Sequence, residues 1–300
     1  MQSSNYFNGW LCLDKPEEMS SNFAMTKVRR ILRTPTGYVG TLDPFATGVL
    51  PIAVGEARKF IRFIEKSEKT YRFTMAFGKT TDTLDKNGKI TAYTDNIPQK
   101  SSVLGVLNKF LGETEQIPPA FSAIKLNGKR ACDRVRLGEP VELSPKKINI
   151  FAIKVINEDL PKYELSLEVT CSKGTYMRGL ARDIAEELGS LAYVKTLCRI
   201  KSGFFSLNNA ITLEKLSEIK DTHKMKAILA SVESPLDDIP ALYLRSEGIA
   251  VLRNGVQFRM KNLGIISSNV KIFDDINKVF CGVGYVSDDG TVKAVRMCNR

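Results

Sequence analysis

The sequence predicts a mixed α/β protein of the α+β kind, with a large domain followed by a small β-rich module. Three observations carry this reading. Two stretches alternate apolar and polar residues with the period of a half-buried strand: Tyr71, Phe73, Met75 and Phe77 against Arg72 and Thr74, then Leu165, Leu167, Val169 and Cys171 against Glu164, Ser166, Glu168 and Thr170. Helical spacing fills 101–111 and 175–188, each stopped by a glycine, Gly112 and Gly189. From residue 241 onward, short strands alternate with turns at Gly255, Gly264 and Asp288-Asp289-Gly290. A chain of 300 residues, 43% of them hydrophobic, suits a large cored domain plus a small module, here 1–238 and 239–300.

The elements follow in order. Gly9 to Pro16 reads as a strand ending at a turn, and Ser20 or Ser21 can cap a helix with Phe23, Met25, Val28, Ile31 and Leu32 near helical spacing. A glycine- and proline-punctuated loop runs from Gly37 into the apolar run Val49–Val54, a buried strand. Ala57 to Glu65 reads as a helix with Phe60, Ile61 and Ile64 inward. Asn87-Gly88 marks a hairpin turn after the first alternating strand. Residues 116–125 are irregular and 127–136 helical; 208–238 read as polar and helical, ending in a linker at Pro235 and Pro240.

Composition excludes several chemistries. The single histidine, His223, removes Ser-His-Asp triads, Cys-His pairs and histidine-rich metal centres. The six cysteines never form a Cys-x-x-Cys pair and read as buried reduced thiols, so no metal site is expected. The N-terminus Met1–Asn5 lacks a basic region followed by an apolar stretch, and no window is long and apolar enough for a bilayer, so neither signal peptide nor membrane is expected. Lys plus Arg number 44 against 33 Asp plus Glu, a net charge of +11 that suits a polyanionic partner or an ordinary basic enzyme.

Chemistry concentrates in Gly37–Lys59, GYVGTLDPFATGVLPIAVGEARK. Gly40, Pro44 and Gly48 restrict the backbone around one acid, Asp43, which sits on a stiff loop anchored by the strand behind it. An Asp-Pro pair is also a common turn former. The whole string, however, closely resembles the second motif of the TruB-type tRNA pseudouridine synthases, whose Gly-Thr-Leu-Asp-Pro holds the catalytic aspartate. Trp10–Pro16 with Met19–Asn22, Lys69–Arg72, Thr80–Thr83 with Gly88, Gln116–Pro119 and Cys171–Arg178 resemble further blocks of that family, in order.

The resemblance implies a pseudouridine-synthase catalytic domain around a largely antiparallel sheet, an RNA-clamping insertion at about 120–145, and a PUA-like RNA-binding module at the C-terminus. It implies isomerisation of uridine 55 in the tRNA T loop. That rearrangement involves no redox change or group transfer, so no cofactor is expected. Asp43 is the expected catalytic residue, able to attack C1′, stabilise positive charge there or remove a sugar proton. The target base must be flipped into a pocket. Tyr71 matches the tyrosine that packs on the flipped base, Arg178 the arginine that pairs with the carboxylate, and Tyr176 and Leu197 match pocket-lining positions. Taken without the resemblance, Tyr71, Tyr176 and Leu197 read as core or helix packing and Arg178 as a solvated side chain.

Two departures stand out. Tyr38 occupies a position where the family usually carries a histidine that contacts substrate; it keeps a stacking surface but loses the imidazole's hydrogen bonds. Ala131-Cys132-Asp133 replaces a Leu-Tyr-Glu-like sequence in the insertion. The expected partner is the tRNA T stem-loop, met by a monomer in the cytoplasm without guide RNA. A catalytically weak tRNA-folding factor of the same fold is the alternative.

Overall fold

The computed structural model describes residues 7–157, 163–260, 263–265 and 268–299. The Met1–Asn5 reading therefore lies outside the described residues. Gly9–Lys15 forms the first strand, and the helix Ser21–Leu32 follows, capped by Ser20, whose side chain accepts the Phe23 amide. Ser21 faces inward: its hydroxyl donates to the Leu42 carbonyl at 2.9 Å and accepts the Leu42 amide at 2.8 Å, stitching this helix to the Asp43 loop.

Among the described residues one nine-stranded sheet organises the large domain. Its main path runs Gly9–Lys15, Thr47–Val54, Ala192–Ser202, Lys69–Phe77, Glu164–Cys171, Lys146–Asn157 and Gly112–Gln116, with Thr36–Tyr38 and Phe205–Ser206 paired at the side. Every pairing is antiparallel except that of Thr47–Val54 with Ala192–Ser202, so the sheet is largely antiparallel as expected. Tyr71, Phe73, Met75 and Phe77 share one buried face with Leu165, Leu167, Val169 and Cys171, across the registers Tyr71–Val169 and Phe73–Leu167. The helix Met177–Glu187 covers this face with Met177, Leu180, Ala181 and Ile184. No described helix is long and apolar enough to cross a membrane.

A second sheet, five-stranded among the described residues, holds Ala241–Leu244, Ser268–Asp274, Phe280–Val286, Thr291–Met297 and Phe258–Arg259. It packs on the large domain through Phe280 and Val283, which join Phe60 and Trp10 in one cluster. The Asn299 amide donates to Glu56 Oε2 at 2.7 Å across the same junction.

Several elements differ from expectation. Phe23 points outward, 48% exposed beneath the Lys27 ammonium, because Ala24 and Ser21 take the inward stripe. The 57–65 helix is a 3₁₀ turn, Gly55–Phe60, followed by the short α-helix Ile61–Ile64. Around Asn87-Gly88 the turn is not a two-residue hairpin but an eight-residue loop between Lys79–Thr81 and Ile90–Tyr93, held by Asp82 and Asp85 side chains accepting the Lys89 and Asn87 amides. Residues 127–136 split into the small hairpin Lys125–Leu126/Lys129–Arg130 and the helix Ala131–Arg136. The 208–238 stretch holds the end of a 3₁₀ turn, Leu207–Asn209, and the short α-helices Leu213–Glu218 and Thr222–Ala227, and the C-terminal module carries an unanticipated helix, Ser246–Arg253.

Candidate active site

Asp43 lies on the loop between Thr36–Tyr38 and Thr47–Val54. The loop is shaped by Gly40 at φ +70° and Gly48 at φ +98°, a left-handed backbone that favours glycine. At Gly48 a Cβ would lie 2.3 Å from the Arg199 carbonyl, so the bare backbone is what lets this strand pair with Ala192–Ser202. Arg199 is fully buried and spans the loop's two arms: Nε donates to Val49 O at 2.7 Å and Nη2 to Gly40 O at 2.8 Å. Lys15, also fully buried, donates to the carbonyls of Pro16, Met19 and Pro44. Two buried cations thus hold the loop by its backbone and leave its carboxylate available.

That carboxylate is met by Arg178. Nε donates to Asp43 Oδ2 at 2.9 Å, while Nη1 donates to Thr83 O at 2.7 Å and Nη2 to Phe121 O at 3.0 Å. The Arg178 side chain is only 3% exposed, whereas that of Asp43 is 33% exposed, so one partner is anchored and the other opens to solvent. Asp85 Oδ2 stands 3.6 Å from Arg178 Nη1 and its Oδ1 accepts the Thr83 hydroxyl at 2.8 Å. Burial pushes the Asp85 carboxyl above its ordinary 3.8, against the pull of the Thr83 hydroxyl and Arg178.

Asp43, Arg178 and Arg199 line one cavity of about 620 Å³. All six residues singled out from the sequence, Tyr38, Asp43, Tyr71, Tyr176, Arg178 and Leu197, line it. Tyr71 is nearly buried on the strand beside Asp43; burial raises its phenol, with the Arg199 charge opposing. Burial and then the Asp43 charge raise Tyr176. Leu197 supplies an apolar wall, and Tyr38, half-buried on its short strand, lines the cavity as well. Ala123 and Ile124 bring the 117–145 segment against the same space. Lys69 is buried under Gly40, donating to Ser67 O at 2.7 Å; desolvation lowers both Lys15 and Lys69 to about 8. In the 117–145 segment, Arg130 pairs with Asp133 at 2.7 Å.

Sequence reasoning gave no site role to Asp85, to Arg199 or, within its Gln116–Pro119 block, to Gln116. Asp85 follows the Thr80–Thr83 block but shows no spacing that aims it at Asp43. Arg199 is one of three basic residues in Ala192–Ser202, with Lys195 and Lys201, and nothing in that pattern marks it as the fully buried one. Among the described residues no cluster of His, Cys, Asp or Glu is arranged to hold a metal ion.

The fold has counterparts among solved structures. A chain of a Cbf5-Nop10-Gar1 complex superposes with a TM-score of 0.72 at 20% identity, over 98% of this chain and 85% of that one. A chain of an H/ACA RNP bound to a substrate RNA containing 2′-deoxyuridine gives 0.72 at 17% identity, over 100% and 92%. At such identities the likeness shows the fold. Sequence relatives go further. The tRNA pseudouridine synthase B of Zymomonas mobilis is 44% identical over 83% of each chain, that of Caulobacter vibrioides 44% over 83% of this chain and 80% of its own, and that of Ehrlichia canis 36% over 96% and 92%. Residues 29–177 match the TruB family pseudouridylate synthase N-terminal domain, and residues 178–238 the tRNA pseudouridylate synthase B C-terminal domain. The chain belongs to the TruB family of pseudouridylate synthases.

Proposed function

We propose that this protein isomerises uridine 55 in the T loop of tRNA to pseudouridine, as a stand-alone cytoplasmic monomer that needs neither guide RNA nor cofactor. The observation that carries the reading is Asp43, a half-open carboxylate at the wall of the cavity, held from behind by a buried arginine and faced by Tyr71. In this reading the target uridine is flipped into the cavity, where Tyr71 packs on the base and Tyr176 and Leu197 bound it. Asp43 then acts at the ribose as the N1–C1′ bond breaks. The uracil rotates in place, C5 bonds to C1′, the C5 proton leaves and N1 regains a proton, so atoms balance without redox change.

Arg178 orients Asp43 by donating to it while its other nitrogens are tied to two main-chain carbonyls. The 1–238 region performs the chemistry, with the insertion at about 120–145 gripping the RNA arm and Tyr38 at the mouth contacting the T loop. The 239–300 module acts as a PUA-like RNA-binding unit. The test is incubation of the purified protein with an unmodified tRNA transcript, with pseudouridine mapped at base resolution, alongside Asp43→Asn. Product at the T-loop position, absent in the variant while RNA binding persists, is the expected result. Binding without product by the native protein would replace this reading with that of an RNA-folding factor.

A further inference from the structure

Gln116 ends the strand Gly112–Gln116, at the root of the 117–145 segment, and is buried. Its side-chain amide grips the main chain of Tyr176 from both sides. Oε1 accepts the Tyr176 amide at 2.8 Å and Nε2 donates to the Tyr176 carbonyl at 3.1 Å. The two bonds define the amide's orientation, since a main-chain N–H only donates and a C=O only accepts. Tyr176 is the N-cap of the helix Met177–Glu187 and has no side-chain cap bond of its own. Gln116 therefore fastens the helix start from a distant strand. It reaches this position because residue 179 is glycine: a Cβ there would stand 3.0 Å from the Gln116 side chain.

A second rung lies six residues on, where Arg182 Nη2 donates to Ile117 O at 2.9 Å, and Arg178 Nη2 to Phe121 O forms a third. The helix that carries both Tyr176 and Arg178 is thus laced along its first turns to 116–121, and Gln116 makes the only two-way bond of the lacing among the described residues.

We propose that Gln116 is a positioning residue for the isomerisation: by fixing Tyr176 and the helix start it sets the pose of the Tyr176 ring in the cavity and of the Arg178 fork on Asp43. The proposal rests on the functional reading above. Gln116 is separated from the cavity by Tyr176, so it acts through that residue and not by touching substrate. Displacement of a reacting group by about 1 Å can cost about 10²-fold in rate, which sets the scale of the effect.

The test uses the full chain with Gln116→Glu, which keeps the acceptor but places a carboxylate against the Tyr176 carbonyl and near the Asp183 carboxyl, and Gln116→Met, which keeps the volume and removes both bonds to Tyr176 together with the contact to Asp183. Single-turnover rate and KM on the tRNA transcript are measured together with hydrogen exchange at the amides of 176–180. The expected result is a rate lower by about 10- to 10²-fold at saturating RNA with KM within about twofold, and faster exchange at 176–180 in Gln116→Met while 69–77 keeps its protection. Variants that match an active native protein, or that lose only KM, would overturn the proposal. So would unchanged exchange at 176–180. An inactive native protein would instead strike the functional reading, and the exchange pattern would still decide whether Gln116 fastens the helix.

Discussion

Arg178 and Asp43, 135 positions apart, meet at 2.9 Å with unequal burial: the guanidinium is locked in the interior and the carboxylate faces the cavity. The arginine also donates to the carbonyls of Thr83 and Phe121, so three chain segments meet on one side chain. A planar fork can hold that geometry, whereas a point charge cannot.

Arg178→Lys therefore keeps the charge and loses the fork. Its single-turnover rate should fall by about 10²-fold through a loosened Asp43. Arg178→Met goes further, leaving Asp43 and the buried Asp85 without their cation and the half-buried Thr83 and Phe121 residues without a donor to their carbonyls, and should destabilise the fold by about 3–5 kcal/mol in urea unfolding.

Asp85 predicts a pH dependence. Its folded-state carboxyl titrates above 3.8, so the folded chain binds that proton more tightly than the unfolded chain. Stability from this group rises as pH falls through the raised value, and the gain is complete below about 3.8, the unfolded value. Asp85→Asn removes the titration. The native protein should thus gain stability relative to Asp85→Asn on going from about pH 7 to about pH 4, read from denaturant midpoints at each pH.

Two glycines should respond in opposite directions. Gly48→Ala forces a Cβ to 2.3 Å from the Arg199 carbonyl at φ +98°, and should cost about 3 kcal/mol or more by breaking the parallel pairing beside Asp43. Gly105→Ala, in the helix Lys100–Leu107 with no atom within 4 Å of the new Cβ, should stabilise by about 0.5–1 kcal/mol. Thermal or urea unfolding of the pair checks both signs.

Burial pushes Cys12 and Cys298 up to about 12 and Cys171 to about 11. These thiols carry almost no thiolate at about pH 8. Iodoacetamide on the native protein should leave all three unmodified, whereas the denatured chain should be labelled at all six cysteines; peptide mass mapping reads the difference.

Much of the molecule was legible in the chain because its signals are local. The Asp43 loop announces itself through Gly40, Pro44 and Gly48. The strand Glu164–Cys171 alternates cleanly because one face is buried and the other half-exposed, and Lys69–Phe77 shows the same alternation over Tyr71–Met75, although Thr70 and Ala76 on its other face are buried too. Ala192–Ser202 escaped the same reading although it sits inside the sheet. It carries the buried Arg199 and two register shifts, at Val194/Thr196 and Arg199/Lys201, so its apolar positions fall out of period. Lys146–Asn157 likewise shifts register twice and leaves Phe151 46% exposed.

The sequence by itself therefore determined the fold class, the loop that presents Asp43 and six of the residues that line the cavity. What only the tertiary structure decided is which distant groups hold that loop and that acid: Arg199 across its arms, Lys15 beneath it, Asp85 behind Arg178, and Gln116 on Tyr176. The physical reason is that a buried charge or amide is stabilised by whichever carbonyls and carboxylates the folded chain brings within about 3 Å, and those partners have no fixed spacing in sequence.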